Sequence, residues 1–371
     1  MLVNKYLSNI PGWRTRKKFV IIESDDWGSI RMPTRMVYNN LIKAGINLDD
    51  DDGRRFNKYD TLATSADLSM LFDVLCSVKD STNRTAVITP VSVVANPDFN
   101  KIAESGFNEY HYESFTKTLL RYPGCKDSFN IWKEGIQKRL FVPQFHGREH
   151  LNVQSWLKAL RTENKKVMVA YQNQMWGIST ANDPEIKLEL QAAFDFHDPE
   201  DLHYQEGVIT SGLDLFEDLF GFRASYFVPP NGPFSTQLEK VCRQKGIKFI
   251  AVSKIQQEPI GEGKFKKNLH WLGQSNKSGI LYLTRNCHFE PSQEGRDWVD
   301  SCLRDIRIAF NLFKPAVVSS HRVNYIGALC EHNRSNGLKQ LRALLNAIIK
   351  KWPDTEFITS SELGNLILYA E

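Results

Sequence analysis

The sequence lacks long apolar runs and paired cysteines. No apolar stretch approaches the roughly 18 residues that a membrane-spanning helix requires, so we expect no membrane partner. The N-terminal segment has none of the basic, apolar and small-residue regions of a signal peptide, which predicts a cytoplasmic protein. The 6 cysteines are scattered without a CxxC pair. Their spacing argues against a cysteine-based zinc site and against a disulfide framework.

An excess of charge of one sign is also absent. The 371 residues include 47 Lys and Arg against 43 Asp and Glu, and the net charge of +4 is too small to indicate a nucleic-acid partner. Hydrophobic residues make up 42% of the chain and aromatic residues 11%, as in ordinary globular proteins. Composition therefore predicts a folded globular chain, and it leaves the oligomeric state open.

Short β-branched or aromatic runs alternate along the chain with helical patterns. Most of these runs are apolar throughout, which is typical of parallel strands buried on both faces. The predicted strands span 19–24, 86–94, 140–145, 166–171, 225–230, 248–253, 280–286, 316–320 and 356–360. The predicted helices span 34–44, 65–78, 153–163, 211–221, 236–245, 297–313 and 337–351. The alternation predicts an α/β fold with right-handed crossovers.

Some connections are too long for simple loops, namely 31–83, 97–139 and 256–279. Segments of this length in a compact fold usually carry their own secondary structure, so we predict helical insertions there. The acidic run 49–52 precedes Gly53 but lacks the ligand pattern of a calcium loop. We therefore predict a solvated acidic turn at this run.

Acidic and histidine side chains come directly after predicted strands. Asp25 and Asp26 end the first strand, His146 follows a later strand with His150 four residues on, and His321 follows another. If the strands close into a barrel, their carboxyl ends share one mouth. Two imidazoles at i and i+4 would project from one face of a helical turn. One carboxylate and two imidazoles form a zinc site with an open coordination position, and His321 becomes a candidate general acid.

These residues resemble two motifs of the metal-dependent polysaccharide deacetylases, a carbohydrate esterase family. The first family motif is Thr-Phe-Asp-Asp, which Asp25 and Asp26 match at the two acids. The second is His-Ser/Thr-x-x-His, which His146 and His150 match, with Gly147 in place of the hydroxyl residue. The resemblance implies the family's α/β fold, a distorted (β/α)7 barrel, here with helical insertions.

A looser similarity covers the later motifs of the family. The segment 228–232 is similar to the Arg-x-Pro-Tyr/Phe-Gly motif in its Pro-Pro-x-Gly frame, with Val228 where the arginine usually stands. Arg223 is the candidate replacement for that arginine. The 297–298 pair and His321 resemble the fourth and last motifs.

The resemblance implies a metal-dependent hydrolase that removes acetyl groups from an acetylated saccharide. Asp25 would be the catalytic base and His321 the general acid. Asp26, His146 and His150 would hold a divalent metal, zinc or a similar ion. Because these residues are spread along the chain, we expect one barrel domain over 1–371.

Further residues are candidates for substrate binding or for stabilising the oxyanion. The backbone N–H of Asn231, which follows Pro230, would face the oxyanion, and Arg223 would orient the base. Trp27 lies next to the acidic pair and would stack on a sugar ring. Arg285 and its neighbours 288 and 290 also follow a predicted strand and could line the same mouth, but we favour ordinary salt-bridge or turn roles for them.

Other functions remain compatible with the sequence. The segment His146 to His150 also spells HxxEH, in which Glu149 would be the base of a zinc peptidase. A metal-free glycoside hydrolase would use two carboxylates, such as Asp25 and a partner ~5–10 Å away. A third possibility is a barrel that binds carbohydrate without catalysing a reaction, because the usual arginine is missing at Val228.

Overall fold

The computed structural model of the chain describes residues 2–49, 53–180 and 182–370. Of the acidic turn predicted at 49–52, residues 50–52 lie outside the described residues. Each predicted strand and helix overlaps an element of its own kind, except the strand predicted at 166–171 and the helical insertion predicted at 256–279. None of the described helices has the length and apolar composition needed to cross a membrane.

Strands and helices alternate along the described chain. The strands are β1 (Lys18–Trp27), β2 (Ile88–Ser92), β3 (Ala95–Pro97), β4 (Tyr112–Ser114), β5 (Gln144–Phe145), β6 (Tyr226–Phe227), β7 (Phe249–Ala251), β8 (Ile255–Pro259), β9 (Phe265–Leu269), β10 (Gln274–Ser275), β11 (Leu281–Leu283), β12 (Cys287–His288), β13 (Ala316–His321) and β14 (Thr355–Phe357). The helices are α1 (Leu2–Ser8), α2 (Arg35–Lys43), α3 (Arg54–Tyr59), α4 (Ser65–Cys76), α5 (Phe99–Glu104), α6 (Phe115–Leu119), α7 (Ser128–Gln137), α8 (Val153–Arg161), α9 (Lys165–Gln172), α10 (Asp201–Phe220), α11 (Glu239–Gln244), α12 (Trp298–Asn311), α13 (Glu331–Lys351) and α14 (Ser360–Leu368).

The main sheet is parallel and curls like a barrel. Its strand order is β10-β11-β7-β6-β5-β2-β1-β13-β12, with β14 also paired to β1. Only β10 runs antiparallel to its neighbour. Strands β11 and β12 lie at opposite sides of this order, but only residues 284–286 separate them along the chain. The fold is therefore mixed α/β and barrel-like, and the count of seven strand–helix units stays a prediction.

Alternate residues of β1 separate the two faces of the sheet. Val20 and Ile22 pack outward among the helices, whereas Phe19 and Ile21 join the apolar core on the other face. Because side chains alternate along a strand, the positions two and four residues after Ile21 continue this inner row. The inner row therefore begins apolar and ends in carboxylates.

Helix α14 packs against the lower part of the inner row. Leu363 and Ile367 belong to the same apolar core as Phe249 of β7. A Cβ atom on Gly364 would lie 2.6 Å from the Phe249 ring, so only glycine permits this close approach. Helix α14 thus fills space inside the curled sheet.

The prediction of a strand at 166–171 is wrong, because this range lies in α9. The side chain of Asn164 accepts a hydrogen bond from the Val167 N–H and caps the helix. Val167, Ala170 and Tyr171 are buried along one helical face. A short apolar run has the same appearance in a buried strand and in a buried helix, so the spacing of its apolar residues does not distinguish the two elements.

The long connections contain different structures. Helices α2 to α4 lie within 31–83, and α5 to α7 lie within 97–139. The helical insertion predicted at 256–279 is wrong, because β8 and β9 form an antiparallel hairpin there. Positive φ angles at Gly261, Glu262 and Gly263 make the hairpin turn, and such a glycine-rich turn favours a hairpin over a helix. The prediction of a single domain is not tested by these local structures.

Candidate metal centre and catalytic residues

Asp26, His146 and His150 converge at the carboxyl ends of the strands. Asp26 Oδ1 lies 3.1 Å from His150 Nε2 and 3.6 Å from His146 Nε2. The three possible ligand atoms lie within 4.8 Å of one another, and no other such group of His, Cys, Asp or Glu occurs within the described ranges. All three side chains are buried. The predicted ligand residues are therefore neighbours in space.

An irregularity at the end of β1 brings Asp26 to this point. Adjacent residues of a regular strand face opposite sides of the sheet, so Asp25 and Asp26 would normally diverge. The register against β2 shifts between Ser24 and Trp27, and Asp26 adopts a φ of 72°. A left-handed backbone costs a non-glycine residue about 1–2 kcal/mol, although aspartate tolerates it better than most. The strained conformation directs the second carboxylate toward the histidines.

The two histidines come from an extended loop. His146 follows β5, and α8 begins only at Val153, so the helical turn predicted for the HxxxH segment is wrong. Gly147 has a φ of 105°, which lets the loop turn where a helix would continue straight. The His146 ring contacts the Val228 carbonyl through Nδ1 at 2.6 Å, and the His150 ring stacks on Trp176. These contacts hold both rings in place.

The donor atoms fit a divalent cation. Nδ1 of His146 donates to a carbonyl, which leaves Nε2 as the possible ligand atom of that ring, and this buried atom has no hydrogen-bond partner among the described residues. Burial lowers the pKa of His150 to about 4, so its ring is neutral at physiological pH. Although burial opposes it, contact with the His146 and His150 rings and the charge of Arg31 hold the pKa of Asp26 well below its ordinary value. One carboxylate and two imidazoles could hold a metal ion.

Asp25 lies beside this group and is paired with Arg285. Two guanidinium nitrogens of Arg285 donate to the two Asp25 oxygens at 2.6 and 2.7 Å. Burial would raise the pKa of Asp25, but the charge and hydrogen bonds of Arg285 outweigh it and lower the pKa. Asp25 is therefore a carboxylate with fixed orientation.

His321 lies opposite Asp25 in the register of β1 and β13. Its Nδ1 contacts Glu290 Oε1 at 2.6 Å, and Arg55 also donates to Glu290 at 2.5 Å. Burial would lower the pKa of His321, but the Glu290 carboxylate reverses that effect and raises it. The His321 side chain keeps 26% of its surface exposed, so it is open to solvent while the metal-ligand candidates are closed.

The segment after β6 forms a tight turn near the histidine loop. The Gly232 N–H donates to the Pro229 carbonyl, and Asn231 has a φ of 56°, as expected for the third residue of a type II turn. Pro230 packs near Gly147, with its Cγ 3.7 Å from where a Cβ of that glycine would lie. Asn231 is exposed. The role of its N–H toward an oxyanion stays a prediction.

Trp27 and Arg223 do not lie where their predicted roles require them. Trp27 is 1% exposed and packs edge-on against Trp132 and Phe141, because it belongs to the outer core of the sheet. It cannot stack on a sugar in this position. Arg223 precedes β6 at its amino end and pairs on the surface with Glu217, so it does not orient Asp25.

Arg285 makes the contact with Asp25 that is predicted for Arg223, although the sequence favours an ordinary salt-bridge or turn role for Arg285. It follows β11, whereas the motif comparison directs attention to the segment after β6. The sequence favours an ordinary role for Glu290 as well, and it predicts no role for Glu23. The inner row of β1 would have identified Glu23, because this position shares its face with Asp25.

The contacts and the backbone of the histidine loop argue against the zinc-peptidase interpretation. Glu149 accepts two hydrogen bonds from Arg148, at 2.7 and 2.9 Å, and both side chains are buried. The HxxEH segment also lies outside any helix, as described above, whereas the peptidase motif requires helical spacing.

Comparisons with known proteins give only distant similarities. No protein-family model matches the chain, and no curated protein matches it. A 4-alpha-glucanotransferase from Thermococcus litoralis aligns with a TM-score of 0.46 at 10% identity, over 94% of this chain and 40% of that one. This chain therefore spans less than half of that enzyme's length.

Two further solved structures cover most of both chains. A probable polysaccharide deacetylase from Pseudomonas aeruginosa PAO1 aligns with a TM-score of 0.47 at 9% identity, over 95% of this chain and 90% of that one. The Puue allantoinase aligns with a TM-score of 0.45 at 11% identity, over 97% and 94%. The names of these proteins describe different reactions, so their likeness assigns neither a family nor an activity to this chain.

Proposed function

We propose that the protein is a metal-dependent hydrolase that removes acetyl groups from an acetylated carbohydrate, with zinc as its ion. The observation that carries the proposal is the convergence of Asp26, His146 and His150 beside Asp25 and His321. The choice of a carbohydrate rests on the resemblance of these residues to the deacetylase motifs. The seven-unit barrel of that family belongs to the same proposal.

The proposed reaction divides the chemistry between the ion and the side chains. A divalent ion held by Asp26, His146 and His150 would act as a Lewis acid toward a water molecule and a carbonyl oxygen. Asp25 accepts a proton from the attacking water, whose oxygen bonds to the acetyl carbon. Arg285 keeps the Asp25 carboxylate oriented and ionised before the reaction begins.

Collapse of the tetrahedral intermediate requires an acid and an oxyanion donor. His321 carries the proton because Glu290 favours its charged form, and it donates that proton to the departing nitrogen or oxygen. The bond between the acetyl carbon and that atom breaks, which releases acetate and the free amine or alcohol. The Asn231 N–H is the proposed donor to the oxyanion.

The non-catalytic alternative loses its main argument. It relied on the absence of an arginine at Val228, but Arg285 makes the bidentate contact with Asp25 from another strand end. A metal-free glycoside hydrolase remains a separate possibility, and it predicts activity that a chelator does not remove.

The proposal is tested by acetate release from a panel of N- and O-acetylated sugars, with and without a chelator. We expect release that stops on chelation and returns with added zinc. Asp25→Asn should abolish turnover while metal content stays at the wild-type value. If metal-loaded protein releases no acetate from any substrate, the deacetylase proposal is wrong, and activity that survives chelation would favour the metal-free alternative.

A further inference from the structure

Glu23 is a fully buried acid that takes no part in the proposed reaction. It lies two residues before Asp25 on the inner row of β1, and its exposure is 0%. An isolated buried carboxylate is costly, with an effective penalty of several kcal/mol, so its partners have to compensate for the lost water.

Three donors from distant parts of the chain surround Glu23. Its Oε1 accepts hydrogen bonds from the hydroxyl of Tyr226 at 2.8 Å and from the hydroxyl of Ser360 at 2.7 Å. Its Oε2 accepts from Nε of Arg285 at 2.5 Å. Tyr226 lies on β6, Arg285 follows β11, and Ser360 is the first residue of α14. The carboxylate therefore joins the inner side of the sheet to α14.

Arg285 connects Glu23 to the proposed base. Its Nε faces Glu23, while its two terminal nitrogens face Asp25. The guanidinium group is planar, so its donors keep fixed directions relative to one another. Once Nε is bound to Glu23, the plane of the group is set, and so is the edge presented to Asp25.

We propose that Glu23 is a positioning residue that orients Asp25 through Arg285, with Ser360 of α14 completing the support. The inference rests on the proposed function only in naming Asp25 as the base. Glu23 itself contacts neither the candidate metal ligands nor the reacting atoms in this arrangement. Its effect is to hold one orientation of the guanidinium group, and thereby of the carboxylate.

Glu239 provides a matched control for this proposal. It is also a buried glutamate, 6% exposed, and it also accepts a hydrogen bond from a tyrosine, Tyr282. Its second oxygen accepts from Asn276 rather than from an arginine. A Glu-to-Gln change at 239 therefore reproduces the loss of a buried charge without affecting Arg285.

The kinetic test compares Glu23→Gln with Glu239→Gln in the metal-loaded protein. For Glu23→Gln we expect kcat to fall about tenfold with unchanged KM and metal content, because small misplacements of a reacting group are costly in rate. Glu239→Gln should leave kcat unchanged.

Ser360→Ala, which removes one donor to Glu23, should lower kcat less than Glu23→Gln. In an Arg285→Lys background, Glu23→Gln should cause no further loss, since both changes break one chain of contacts. Equal effects of the 23 and 239 variants on kcat would overturn the proposal.

A spectroscopic test does not depend on activity. The Nε–H resonance of Arg285, assigned by its loss in Arg285→Lys, reports the contact with Glu23. We expect this resonance to shift and to exchange faster with water in Glu23→Gln, and to keep its position in Glu239→Gln. An unchanged resonance in Glu23→Gln would refute the positioning role. If the resonance responds but wild-type protein releases no acetate, the deacetylase proposal fails while the hold of Glu23 on Arg285 stands.

Discussion

The pair formed by Glu290 and His321 allows a prediction that links stability to activity. Glu290 is buried and accepts hydrogen bonds from His321, Asn324 and Arg55. Burial would raise the pKa of Glu290, but the charge of His321 and these hydrogen bonds lower it from 4.5 to about 2. This difference corresponds to about 3 kcal/mol of stabilisation at neutral pH. Glu290→Gln should therefore lower the free energy of unfolding by up to about 3 kcal/mol at pH 7.

The pH dependence of this stabilisation has a definite sign. A lowered carboxyl pKa in the folded state stabilises the protein above the unfolded pKa, and the contribution is lost as the pH falls toward 2. His321 has a raised pKa, so its contribution is present below the unfolded pKa and is lost as the pH rises through the folded one. The stability difference between wild type and Glu290→Gln should consequently shrink on both sides of neutral pH.

The same substitution should alter the pH profile of acetate release. If His321 is the general acid, activity requires its protonated form and declines as the pH rises through its pKa. Without the Glu290 charge that pKa falls, so the alkaline limb of kcat/KM should move to lower pH. Glu258→Gln is the control, since Glu258 is another buried carboxylate of lowered pKa and bonds to Thr236 and Asn268 instead. An unchanged alkaline limb in Glu290→Gln would refute the role of His321 as the acid.

Two further substitutions test Trp27 and Arg223, which the structure places away from their predicted roles. Trp27→Ala should reduce the free energy of unfolding by about 3–5 kcal/mol in a denaturant titration, because Trp27 fills the core beside Trp132 and Phe141. The KM of this variant should stay at the wild-type value, and a raised KM at unchanged stability would restore the predicted contact of Trp27 with substrate. Arg223→Ala should change neither kcat nor KM and should shift stability by less than about 1 kcal/mol, because its ion pair with Glu217 is on the surface; a large loss of kcat would contradict its placement.

The ligand and base candidates could be predicted from sequence because each lies at the end of a strand or shortly after it. The order of residues along the chain places Asp25, Asp26, His146 and His321 at strand ends, and parallel strands bring such ends together. The geometry at each position was less predictable. His150 reaches the group through an extended loop rather than a helical turn, because Gly147 breaks the backbone direction.

Contacts between segments that are distant in the chain could not be predicted from local sequence patterns. The pairing of Asp25 with Arg285 depends on how β11 and β12 lie beside β7 and β13, and no short stretch of sequence encodes that placement. The burial of Trp27 depends on the register shift after Ser24, which turns its side chain outward. The helix α9 escaped prediction because its apolar run is short enough to suit either element.

The central place of β1 in the sheet has a consequence for synthesis and folding. This strand is synthesised well before its neighbours β13 and β14 and the Ser360 hydroxyl, which belong to residues 316–360. Pairings between segments so far apart in sequence form slowly, since loop closure must precede them. The carboxylates of β1 therefore remain without their final partners while the intervening residues are synthesised. The site can be completed only after nearly all of the described chain has been made, which delays any metal-dependent chemistry until the fold is closed.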